Sequence, residues 1–153
     1  MMGSSNRGIA NLVILAVAAL LVQPNAVEAK NDREALQRWG IFGTWAADCS
    51  KVPARDNVNE TFVSRSNDAS LDRDGGGFKD SSRILSASLT SDGMIEMFIE
   101  FRSISQTRVN VFLKGPDGRK RAFTNHDSKG SYSIRSGRFI NGGQESKWMT
   151  RCR

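Results

Sequence analysis

The sequence has few of the side chains that most often carry chemistry. It contains one histidine, His126, and two cysteines, Cys49 and Cys152, in 153 residues. The immediate neighbours of His126 (Asn125, Asp127 and Ser128) point in different directions along a strand or turn. A catalytic triad needs partners that converge from separate segments. A zinc site needs several His or Cys ligands, which this chain does not have. Asp68, Asp72 and Asp74 with Gly75 suggest a calcium loop. However, the alternation of oxygen donors breaks at Ala69–Leu71, and the position six after Gly75 is Ser81 rather than glutamate. Glu96 and Glu100 share one strand face but read as the solvent side of a hairpin. No catalytic residue, metal or cofactor is therefore expected, and the chain reads as a non-enzyme.

Long apolar runs are equally scarce. The one that stands out, Leu12–Val22, follows a single positive charge at Arg7 and covers 11 residues, short of the roughly 20 that span a bilayer core. Gln23 and Pro24 end it. Val27 and Ala29 then put small residues three and one positions before a cut. A charged start, a short apolar centre and a small-residue end predict a cleavable signal peptide over 1–29. The expected product is a single domain over 30–153 in the periplasm or secreted, with no spanning segment after cleavage. In an oxidising compartment an even pair of cysteines reads as one disulfide. Cys49 and Cys152 would then tie together nearly the whole domain.

Charge is present in quantity and is unevenly placed. Residues 30–100 carry 9 basic and 12 acidic side chains, a net of −3, whereas residues 101–153 carry 12 against 3, a net of +9. Such a half favours encounter with anions. Export argues against nucleic acid and for an anionic envelope component, with Arg119, Lys120 and Arg121 as the expected contact surface.

The pattern of residues is that of an all-β chain. A short helix is expected over 32–39, capped by Asn31 or Asp32 and ended by Gly40. A strand follows over 41–49, then a long polar loop over about 50–80 that holds one strand at 61–64. From 83 onward, alternating segments return through turns. Leu85, Ala87 and Leu89 are expected inward on one strand, Ile95, Met97, Ile99 and Phe101 on the next, and Val109, Val111 and Leu113 on a third. Ser91-Asp92-Gly93 and Gly115-Pro116-Asp117-Gly118 read as turns. Three shorter strands over 131–135, 138–140 and 147–151 complete a meander of about eight. Because Cys49 ends the first strand and Cys152 the last, their bridge predicts a closed or nearly closed barrel, with a β-sandwich as the alternative.

Gly43-Thr44-Trp45, preceded by a helical turn, resembles the opening of lipocalin-like (calycin) barrels, which implies an antiparallel barrel whose last strand packs beside the first. The Gly-Thr-Trp-Ala-x-Asp-Cys-Ser element at Gly43–Ser50 and the Trp148–Cys152 ending are similar to those of small exported bacterial proteins of uncharacterised function. That likeness covers both ends of the domain, fits the disulfide reading and brings no activity with it. In a barrel of about eight strands the interior is either filled or holds one small ligand. Trp45, Trp148 and Tyr132 are the candidate ligand-contacting residues. The expected function is binding of a small ligand or an anionic envelope component. A protein–protein module, such as an inhibitor of an exported protease, is the alternative.

Overall fold

The computed structural model describes residues 24–66 and 68–152. The apolar segment Leu12–Val22 lies outside the described residues. The expected cut after Ala29 falls within a continuous helix, α1 (Pro24–Trp39). This helix starts earlier than the capping pattern at Asn31 and Asp32 predicts. Asp32 is therefore not a cap: its Oδ1 accepts the N–H of Ala87 at 3.0 Å. Asp32, Ala35, Leu36 and Trp39 recur at helical spacing on one face. Ala35, Leu36 and Trp39 are buried, and α1 packs on the sheet there. Gly40 ends the helix with φ +77°, a conformation open to glycine. Lys114 donates to the otherwise free Trp39 carbonyl.

Ten strands follow in chain order: β1 (Gly43–Ala46), β2 (Asn59–Ser64), β3 (Ala69–Asp74), β4 (Lys79–Leu89), β5 (Ile95–Phe101), β6 (Gln106–Lys114), β7 (Lys120–Asp127), β8 (Tyr132–Arg135), β9 (Arg138–Phe139) and β10 (Thr150–Arg151). They form one antiparallel sheet in the order β10-β1-β2-β3-β4-β5-β6-β7-β8-β9, a meander curled into a half-barrel. It is one sheet, so the sandwich alternative does not describe it. The stretch expected as a long loop over 50–80 instead supplies β2, β3 and the start of β4. β3 was missed because its sequence, Ala-Ser-Leu-Asp-Arg-Asp, shows little apolar alternation. It is held by full pairing to both neighbours.

The seam follows the disulfide. Cys49 and Cys152 are bridged, with Cα atoms 5.4 Å apart, and β10 pairs antiparallel with β1 through Trp45↔Arg151 and Ala46↔Thr150. Just before β10, Met149 exchanges both backbone hydrogen bonds with Lys120 of β7, at 3.0 and 2.7 Å. Glu145 bridges Arg138 of β9. The segment 145–151 therefore lies across the gap between the second half of the meander and its first strand.

The core sits between α1 and the concave face of the sheet. It includes Leu36, Trp39, Trp45, Phe62, Ile95 and Phe112, with Phe62 and Phe112 meeting edge to face at 6.0 Å. The expected inward set on β5 is correct: Ile95, Met97, Ile99 and Phe101 are all buried. Two other expectations change. A bulge between Ile84 and Ser86 puts Ile84 and Ala87 inward and Leu85 outward, while Leu89, opposite Ile95 on the same face as Ala87, is exposed at the end of the strand. On β6 the alternate set faces in. Phe112, Asn110 and Arg108 are register partners of Ile95, Met97 and Ile99, so they share the concave face, and Val109, Val111 and Leu113 fall on the other, where Val111 is nonetheless buried.

Candidate functional site

The change of face on β6 places polar side chains inside the half-barrel. Asn110 is buried, and Arg108 is half-buried beside it. On β7 the register sets Asn125 opposite Asn110, and a bulge next to Phe112 keeps Ala122 on the same face. Together with Glu60 of β2, Arg73 of β3 and Ser133 of β8, these residues line a cavity of about 380 Å³. Leu71, Phe101, Phe112 and Ile134 supply its apolar wall, and Ile104 and Phe139 complete the lining. Ile104 and Phe139 are both exposed, so the cavity has apolar residues that also face solvent.

The charged groups are tied in distinct ways. Lys120 is fully buried, and its ammonium lies 2.5 Å from Glu60 Oε2. It faces the rings of Phe112, Phe62 and Trp45 at 4.3, 5.1 and 5.6 Å. Burial pushes the Lys120 ammonium below the ordinary lysine range, and the Glu60 carboxylate pulls it back up. The carboxylate and the three negative ring faces together favour the charged form. Arg73 is bidentate to Asp80, with Nε 3.0 Å from Oδ1 and Nη2 on Oδ2. Its guanidinium lies over Phe101 at 4.7 Å.

Arg108 is held by neutral partners. Its Nε donates to Asn125 Oδ1 at 2.6 Å, Nη1 to Gln106 Oε1 at 3.0 Å, and Nη2 to Ser133 Oγ at 3.2 Å and the Ser131 carbonyl at 3.5 Å. Asn125 Oδ1 also accepts from Ser133 Oγ at 2.6 Å. Asn125 Nδ2 donates to Asn110 Oδ1. The side-chain oxygens of both asparagines are thus occupied, while their amide groups and the guanidinium retain N–H donors. Asp127 is the register partner of Arg108. Its Oδ1 accepts the Lys129 and Ser131 N–H groups, both at 2.9 Å. Those backbone donors, with Arg108 and Lys129 nearby, hold its carboxyl below the usual range.

The residues singled out from sequence are placed elsewhere. Trp45 is buried in the core and donates its indole N–H to the Ile41 carbonyl at 2.6 Å. Trp148 lies beside the guanidinium groups of Arg119 and Arg121, at 5.5 and 5.2 Å. Tyr132 is exposed, beside His126 at 5.0 Å and beneath Arg135 at 4.9 Å. None of the three lines the cavity.

Arg119, Lys120 and Arg121 do not form one basic surface, because strand alternation splits them. Lys120 points inward. Arg119 pairs with Asp117 at 2.7 Å. Arg121, with its side chain 12 % exposed, pairs with Glu145 at 3.4 Å and donates to Ser146 Oγ at 3.2 Å and to the Gly137 carbonyl.

No family model, curated protein or solved structure matches this chain. The site is therefore read from its own chemistry. Arg108 and Asn110 escaped the sequence reading because Val109, Val111 and Leu113 form the more apolar alternate set. The signal that finds them is Phe112, whose size and place opposite Ile95 fix the inward set as the even-numbered one.

Proposed function

We propose that this protein is an exported, non-enzymatic binder of a small amphiphilic ligand, held inside the half-barrel. The observation that carries the reading is the cavity itself. Clefts of about 300–1,000 Å³ with apolar walls and a few convergent polar groups are the usual small-molecule sites. This one has about 380 Å³, phenylalanine and aliphatic lining, and a few polar side chains among them. The lipocalin-like reading of the fold, a nearly closed barrel, goes with it and is supported by the Met149–Lys120 bridge across the seam. The oxidising setting is supported by the bonded pair Cys49–Cys152.

Envelope binding through the 119–121 surface has less support, since Lys120 is buried and both Arg119 and Arg121 are in ion pairs. The ligand reading is tested with the disulfide-intact protein and the neutral fluorescent amphiphile N-phenyl-1-naphthylamine. Saturable fluorescence gain is expected, and Ala122→Phe, which fills the cavity from β7, is expected to abolish it. A wild-type protein that does not take up the probe, or an Ala122→Phe variant that takes it up undiminished, overturns the reading.

A further inference from the structure

The cavity's ionisable groups are not all held in ion pairs. Glu60 faces the lumen but is matched by Lys120 behind it. Arg73 faces the lumen and is matched by Asp80. Arg108 is the third cation, and among the described residues no carboxylate lies within ion-pair distance of it. Lys120 and Arg73 are thus each held in an ion pair, whereas Arg108 is not: Asp127, its register partner, acts on it only through space and is itself held by backbone N–H groups. The hydrogen-bond pattern has the same bias: asparagine oxygens are occupied within the network, while N–H donors on Arg108, Asn110 and Asn125 remain.

A half-buried guanidinium without a carboxylate partner, set among surplus donors, is arranged to receive an oxyanion through charge-assisted hydrogen bonds. Phe101, Phe112 and Ile134 on the same cavity's wall offer nothing to a polar group and suit an apolar chain.

We infer that Arg108, with the amides of Asn110 and Asn125, anchors the singly charged carboxylate head of an amphiphile whose apolar chain lies along the phenylalanine wall. The assignment rests on the cavity being a ligand site. It specifies one negative charge, because Arg108 is the one lining guanidinium outside an ion pair among the described residues and a second charge would stand unpaired near Glu60. It also gives the neutral network a purpose: Gln106, Asn125 and Ser133 fix the guanidinium in place without cancelling its charge.

The test is competition against N-phenyl-1-naphthylamine by decanoate, decanol and decyl phosphate, which share one chain and differ in head group. Decanoate is expected to bind at least about tenfold more tightly than decanol, in line with a charge-assisted contact, and more tightly than the largely dianionic decyl phosphate. Arg108→Gln is expected to bring the decanoate-to-decanol ratio close to one, and Arg108→Lys, which keeps the charge, to retain a preference for decanoate. Decanol binding as well as decanoate, or an Arg108→Gln variant that keeps the full preference, overturns the anchor while leaving the cavity reading intact. Tighter binding of decyl phosphate overturns the single-charge assignment. Failure of the probe itself to bind overturns the cavity reading, and the anchor with it.

Discussion

The Glu60–Lys120 pair offers a quantitative test of how the interior is held. Glu60→Gln keeps the shape of the side chain and removes the carboxylate bonded to the fully buried Lys120 ammonium. Breaking a buried pair from one side typically costs about 3–5 kcal/mol. There is also a ceiling, since the stranded lysine can release its proton. Moving a lysine from its ordinary value of about 10.4 to neutrality at pH 7 costs about 4.6 kcal/mol, at about 1.36 kcal/mol per pH unit. The three ring faces around the ammonium offset part of this loss, so about 3 kcal/mol is expected at pH 7.

The sign of the pH dependence follows from the same residue. With the folded-state value depressed, the unfolded chain binds more protons, and stability rises with pH between the folded value and about 10.4. That gain is larger in the variant, so its deficit should shrink as pH rises. By pH 9.5 the ceiling has fallen to about 1.2 kcal/mol. Urea unfolding with the disulfide intact, run at both pH values, measures the deficit. The double variant Glu60→Gln, Lys120→Met should recover most of the loss at pH 7. A deficit under about 1 kcal/mol at pH 7, or one that does not shrink at pH 9.5, would refute the reasoning.

Two further outcomes are expected. Replacing both Cys49 and Cys152 by alanine removes a bridge across 103 positions and should lower stability by about 4–5 kcal/mol on the chain-entropy account; an unchanged urea midpoint would contradict it. The Asp48 carboxyl should titrate at about 2, held down first by the Ser50 hydroxyl, then by the Ser50 N–H and by Lys51. Its depressed value means a stabilisation present above the ordinary value of 3.8 and lost as pH falls through about 2. Carboxyl-detected NMR gives the midpoint directly, and Ser50→Ala should raise it.

What the sequence made legible was local or covalent. The turn at Gly115–Gly118 is present, with Gly118 at φ +79°, because proline and glycine there encode their own geometry. The inward set of β5 was legible because Glu96 and Glu100 alternate with four apolar residues. The disulfide and the β1–β10 seam were legible because two cysteines leave one pairing. What was hidden depended on partners far away in the chain. The bulge at Ile84–Ser86 is a property of how β4 meets β5, and nothing in Arg-Ile-Leu-Ser announces it. The inward face of β6 is set by register with β5, and Val109, Val111 and Leu113 pointed to the wrong side. The cavity inherits that difficulty, since its polar lining depends on the same one-residue choice.

The segment that runs from Ser146 to Cys152 has a consequence for how the molecule comes into being. It satisfies backbone groups of Lys120 on one side and of Thr44, Trp45 and Ala46 on the other. A ribosome delivers it after every strand it joins. Until it arrives, β1 and the start of β7 present bare edges, and a bare edge is a template for any other extended chain. A nascent product halted before Ser146 would hold most of its apolar interior yet remain sticky, prone to pairing with its own copies. Release from that hazard waits on the 146–152 segment, however strong the core beneath it.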